Sequence, residues 1–316
     1  PFGLATSHVV MFVSRALARA CRVTFTSRSG SSARSSTCIA LPFPEIDSGG
    51  LGFPNAGGID AGQPGQRPKL RAEGHIIIGF RHHGGLAGNR VRIKEYDNQS
   101  SPIGARSAAL QAVKDGVIAV IGSTYSSHSM AMAPVLQKNR IPMISPISTH
   151  PDLTKSKDYV FRVCFTDDFQ GKVMADFALS HLGATTAAVL TNTTSKYSQS
   201  LAGVFINRFR QSGRILMEDE YQTDTLDFAR QIQQIKDTGP DVIFIPGHYR
   251  ESAYIIKQAR LMGIPNIFLG GDGWVNQMYT YGDAYIHGNF YVTQWHFDSP
   301  LPESRAFVKR FKQQYG

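Results

Sequence analysis

Cysteine is scarce in this chain: Cys21, Cys38 and Cys164 are the three in 316 residues. An odd number with no pair at metal-ligating spacing supports neither a disulfide framework nor a zinc site. No apolar run approaches the roughly 20 residues that a membrane-spanning helix needs. Residues 5–26 hold a few arginines but no clean apolar block ahead of a small-residue cleavage site, so no signal peptide is read there. Enzyme signatures are missing as well. There is no Gly-x-Ser-x-Gly elbow and no P-loop, and Gly50-Leu51-Gly52 is half a dinucleotide fingerprint without a preceding strand or a third glycine. His75, His82 and His83 have no companions at ligand spacing, so neither a metal nor a cofactor is expected.

Clustered charge is also lacking. The net charge is +9, but residues 1–90 hold 10 Lys/Arg against 4 Asp/Glu, which leaves +3 for the other 226 residues. Those early arginines are scattered among Ser, Gly and Pro and form no basic stripe, so no nucleic-acid partner is expected.

What is present is 42% apolar residues, enough for one large core or two smaller ones. From about Ala72 onward, strand and helix patterns alternate with short connections, which predicts an α/β fold. Residues 91–96 alternate as a strand. Ser101-Pro102 is a cap with a first-turn proline, and Ala109, Leu110 and Val113 stripe the next helix, closed by Gly116. The continuous apolar run 117–121 predicts a strand covered on both faces. A helix over 127–138 and a strand over 141–144 complete the first set.

A second set follows the strand-like residues 159–165, with a helix over 167–181, a strand over 187–190 and a helix containing 201–209. Phe228, Ile232 and Ile235 mark another helix, 241–245 a buried strand, Ile255, Ala259 and Met262 a helical face, and 267–269 a further strand. Two consecutive sets imply two similar lobes, each a parallel sheet flanked by helices, with a cleft between them.

Three loops directly follow apolar strands: Gly122-Ser123-Thr124-Tyr125-Ser126-Ser127, Ser145-Pro146-Ile147-Ser148-Thr149, and Gly271-Asp272-Gly273-Trp274. Open α/β sheets place ligands at the carboxyl ends of their strands. A carboxylate gains from free backbone N–H groups at a helix start, and Ser126-Ser127 lies at one. An ammonium needs acceptors, and Asp272 supplies a charged one. Tyr197, Tyr249 and Trp274 offer apolar walls with a polar edge. Each residue also has a plain structural role open to it. Ser126 and Thr149 suit turns or caps, Asp272 a turn, Tyr197 and Tyr249 surface cover, Trp274 a core, and His248 a hydrogen-bonded structural position.

From Val91 onward, over roughly 225 residues, the chain resembles the type I periplasmic solute-binding proteins, in particular the branched-chain amino-acid receptors of ABC importers. The resemblance rests on Tyr96-Asp97-Asn98, the 122–127 loop, Ile144-Ser145-Pro146 with Thr149, Tyr197-Ser198-Gln199, Thr223-Asp224 with Asp227-Phe228, Pro240-Asp241-Val242, Gly247-His248-Tyr249 and Gly270-Gly271-Asp272-Gly273-Trp274. It implies a non-enzymatic, monomeric two-lobed clamp without cofactor that hands an amino acid to a membrane permease, periplasmic or lipid-anchored outside the cell. In leucine-binding members a serine, a backbone carbonyl and a threonine of one lobe, with two tyrosines and an acid of the other, hold the amino-acid head group. By position these are Ser126, a carbonyl within Ile147, Ser148 and Thr149, Thr149 itself, Tyr197 and Asp272. The second tyrosine falls on His248, beside Tyr249. The same clamp also serves as the ligand-sensing domain of signalling or regulatory proteins, an alternative that needs an output domain not visible here.

The expected organisation is an irregular segment 1–83, an incomplete first lobe 84–164, a second lobe 165–291, and a crossover with a truncated return to the first lobe over 292–316. The opening strand and helix of the family are not recognisable in 1–83. That segment reads either as a divergent extension or as a frameshifted or fused translation.

Overall fold

The structure, a computed structural model, describes residues 39–42 and 94–315. Its first lobe is a parallel three-stranded sheet in the order β2 (Val120–Ile121), β3 (Met143–Ser145), β4 (Val160–Arg162), with Met143 opposite both Val120 and Val160. Helices α1 (Pro102–Lys114) and α2 (Ser126–Lys138) cover it. Ala105, Ala109, Ala133, Leu136, Met143 and Leu153 form its core. Ser101 starts α1 as the spacing predicts: it is extended (φ −141°), its Oγ accepts the Gly104 N–H at 2.9 Å, and Pro102 occupies the first turn.

Two expectations for this lobe change. Residues 94–96 form no strand, and residues 91–93 of the expected strand lie outside the described residues. The 117–121 run yields only two strand residues. The Val117 N–H is bonded back to Ala112 O, so the chain is still leaving α1 there, and Ile118 is exposed rather than covered.

The second lobe carries a larger sheet in the order β1 (Ile39–Pro42), β9 (Phe290–Thr293), β8 (Ile267–Gly270), β7 (Val242–Phe244), β5 (Thr186–Asn192), β6 (Arg214–Tyr221). All its pairs are parallel except β1 with β9. β5 shows why it is central: Ala187, Ala188, Val189 and Leu190 are all buried, and alternate residues feed two different cores. Ala187 and Val189 pack with Leu201, Phe205 and Phe244 under α3 (Asp167–Ser180) and α4 (Lys196–Phe209). Ala188 and Leu190 pack with Ile232, Ile256 and Trp274 under α5 (Ala229–Thr238), α6 (Tyr249–Leu261) and α7 (Met278–Gly282). Helix α8 (Pro302–Tyr315) ends the described chain.

The strands β6, β9 and β1 extend the sheet beyond the sequence reading. β6 is an edge strand, and its Arg214, Glu218, Asp219 and Glu220 fit an edge rather than a doubly covered position. β1 falls inside the segment expected to be irregular and pairs with the β9 edge, Ile39 opposite Thr293.

Loops at the strand carboxyl ends bring the lobes together. The Lys196 N–H of the second lobe donates to Ser127 Oγ of the first at 3.0 Å, and the Tyr125 ring lies 4.3 Å from that of His248.

Candidate ligand-binding site

The first-lobe wall is a serine network. Ser129 Oγ and Ser148 Oγ are 2.7 Å apart, and Ser129, Ser145 and Ser148 all donate to Ser123 O at 2.9 to 3.1 Å. These bonds tie the 122–127 loop to the 145–149 loop and leave the Ser148 hydroxyl occupied. Ser126 opens α2, is 2% exposed, and accepts the His150 N–H on its Oγ at 3.3 Å. Ile147 turns its side chain outward. Thr149 is buried, and its hydroxyl faces the Asp167 carboxylate.

The second-lobe wall is built around Asp272. Gln170 Nε2 donates to its Oδ1 at 3.1 Å, Gln294 Nε2 to its Oδ2 at 3.3 Å, and the Tyr197 hydroxyl also bonds it. The Asp272 N–H donates to Gln170 Oε1 at 3.2 Å, and the Gly273 N–H donates to Tyr197 Oη at 3.0 Å. The flanking glycines are required by contact distance. A Cβ at Gly271 would lie 2.4 Å from Tyr197 Oη, and one at Gly273 would lie 2.8 Å from Gly247 O. Tyr197 stacks on His248 at 5.3 Å with planes 20° apart, so Tyr125, His248 and Tyr197 form one run of rings across both lobes.

Two expected wall residues lie elsewhere. Trp274 is 1% exposed and sits in the core shared by α5, α6 and α7, against Gly270. Tyr249 turns to Tyr281, 6.0 Å between ring centres, and packs on that same core. Conversely, the sequence reading passed over Asp167 and Gln170. Asp167, the first residue of α3, is 0% exposed, its Oδ1 accepts from Gln170 Nε2 at 3.0 Å, and its carboxylate also faces the hydroxyls of Thr149 and Ser200. An acid opening a helix is an ordinary dipole partner, so only its burial marks it out. The histidines His75, His82 and His83 lie outside the described residues.

Burial sets the titration of the site. It pulls the His248 imidazole down from 6.5 to about 4, with His128 adding to the effect. It pushes the Asp167 carboxyl up from 3.8 to about 7, and raises Asp272 in the same direction. The linked stability effects oppose each other. Between about pH 4 and 6.5 the unfolded chain holds the His248 proton that the folded chain refuses, so this group makes stability fall as pH falls. Between 3.8 and about 7 the folded chain holds the Asp167 proton that the unfolded chain releases, so this group makes stability fall as pH rises. The two effects therefore oppose each other over overlapping pH windows. His248→Phe should therefore make the protein relatively more stable at pH 4.5 than at pH 7 compared with the parent. Asp167→Asn should do the reverse. Urea unfolding of the three proteins at both pH values checks this; equal changes in both variants would remove burial as the cause.

Two α/β lobes meeting at their strand carboxyl ends, with hydroxyls on one side and a buried acid on the other, define a two-lobed ligand-binding clamp. The chain belongs to the periplasmic binding protein family, whose profile matches residues 77–316, and its fold is that of the type I members. It is 31% identical over 219 residues to the Leu/Ile/Val-binding protein homolog 3 of Brucella melitensis, covering 68% of this chain and 58% of that one. Its fold is similar to that of the leucine binding protein LivK from Thermotoga maritima, with a TM-score of 0.72, 34% identity, and coverage of 76% of this chain and 69% of that one. It is also similar to LivJ from Streptococcus pneumoniae, solved in complex with isoleucine, with a TM-score of 0.70, 28% identity and the same coverage of each chain. The chain thus spans little more than half the length of the curated relative.

Proposed function

We propose that this protein is an extracytoplasmic receptor that binds an L-amino acid with a branched or other small aliphatic side chain and delivers it unchanged to the permease of an ABC importer. The observation that carries this reading is the pairing, across one cleft, of the α2 start at Ser126 with the buried acid Asp272. The first suits a carboxylate and the second an ammonium. The ligand carboxylate meets Ser126 and the N–H groups at the start of α2. The ammonium meets Asp272, Thr149 Oγ1 and the carbonyl of Ile147, since the Ser148 carbonyl already accepts from Arg162 and Cys164. Tyr197 and His248 close the second-lobe side, with Tyr249 and Trp274 supporting them from behind. The names of the relatives support the ligand class. The receptor acts as a monomer, in the periplasm or held to the outer face of a membrane by a lipid.

Calorimetry with the twenty amino acids, followed by recovery of the bound ligand for mass spectrometry, tests the reading; a chemically altered ligand or no binding overturns it. Ser126→Ala should weaken binding by about 1 kcal/mol, because the N–H groups of α2 still hold the carboxylate. A loss as large as that of an Asp272 variant would assign the carboxylate to the hydroxyl instead.

A further inference from the structure

Two buried carboxylates share one amide in this site. Gln170 Nε2 donates to Asp167 Oδ1 at 3.0 Å and to Asp272 Oδ1 at 3.1 Å. Among the described residues neither acid has an ion pair with Lys, Arg or His. The nearby cation, Arg162, spends its guanidinium on the carbonyls of Ser148, His150 and Pro151 and on Thr154 Oγ1. Like charges held together away from water do not both ionise, and such a pair titrates as a unit. Asp167 is fully buried, and its carboxylate also faces the hydroxyls of Thr149 and Ser200.

We infer that an ammonium entering the cleft displaces the one proton that the Asp167 and Asp272 carboxylates hold as a pair bridged by Gln170, so that binding is an exchange of one cation for another. The inference rests on the proposed amino-acid receptor. The ligand keeps its own three ammonium protons, and the displaced proton goes to solvent. The other groups around the pair cannot keep it between pH 5 and 8. Cys164 and Tyr197 already hold their protons, the thiol pushed up to about 12 by burial and the phenol raised well above its ordinary value. Arg162 is permanently charged. His248, pulled down to about 4 by burial, is too weak a base.

Leucine binding to the unmodified protein, measured by calorimetry at pH 6 in phosphate and in bis-tris, reads the exchange directly. The expected result is an enthalpy that differs between the buffers by their ionisation enthalpies, corresponding to release of about one proton per ligand, and an affinity that falls about tenfold per unit of pH below 6. Equal enthalpies in the two buffers with leucine bound overturn the exchange while leaving the receptor reading intact. Failure of all twenty amino acids to bind overturns both. Asp167→Asn should reduce proton release to near zero and flatten the affinity between pH 5.5 and 7; release retained in this variant also overturns the exchange.

Discussion

Asp272→Ala should lose about 2 to 5 kcal/mol of amino-acid affinity, roughly 30-fold to several-thousand-fold, while barely changing folding. Most of that loss is the charge-assisted hydrogen bond between the ammonium and Asp272, which Asp167, joined to it only through Gln170, does not replace. The fold should tolerate the change because the loop is held by other bonds: Asp272 N–H to Gln170 Oε1, Gly273 N–H to Tyr197 Oη, and Trp274 N–H to Gly271 O. Three donors aim at the carboxylate, so its removal also leaves Gln170, Gln294 and Tyr197 short of an acceptor, which argues for Asp272→Asn as a companion. Titration calorimetry at pH 7.5 with urea melts on the same samples separates binding from folding. An affinity within twofold of the parent would show that the ammonium is held elsewhere.

The helices of this chain were legible because their signals are local. Ser101-Pro102 caps α1, and Phe228, Ile232 and Ile235 stripe the start of α5, which Gly239 ends at φ +58°. Strand signals depend on neighbours. The charged residues of β6 disguise a strand that has a partner on one side only, and the apolar run before β2 overstates its length. The site was legible to the level of loops. Ser126, Thr149, Tyr197 and Asp272 stand on segments that follow strands or start helices, and the two lobes touch beside them, at Lys196 with Ser127 and His248 with Tyr125. Which way a side chain turns was harder to read. Along the 271–274 turn Asp272 faces Gln170 while Trp274, two residues on, enters the core, and Tyr249 beside His248 turns to Tyr281. Such directions are fixed by what fills the opposite side, here Tyr197 against Gly271, a contact distant in sequence from the loop, and the core under α6 that takes Trp274. Asp167 and Gln170 carry no loop signal, and their role arises from α3 lying beside the Asp272 turn.

Trp274→Ala is expected to cost about 3 to 5 kcal/mol of stability, the range for emptying a large aromatic site in a packed core. The indole is among the largest fully buried side chains and joins Tyr221, Phe228, Ile256 and Phe268 beneath α6. It also fills the space where a side chain at position 270 would stand: a Cβ there would lie 2.2 Å from the ring. Removing the ring therefore opens a cavity directly behind the Asp272 turn, and affinity should fall as a consequence of the loosened loop. Urea unfolding should show a lower midpoint with an unchanged slope. Gly270→Ala in the parent should destabilise by forcing ring and backbone apart, and in the Trp274→Ala background it should be much better tolerated. That non-additivity is the signature of a shared packing site. A ring that lined the cleft instead would leave stability within about 1 kcal/mol of the parent and show no coupling to position 270.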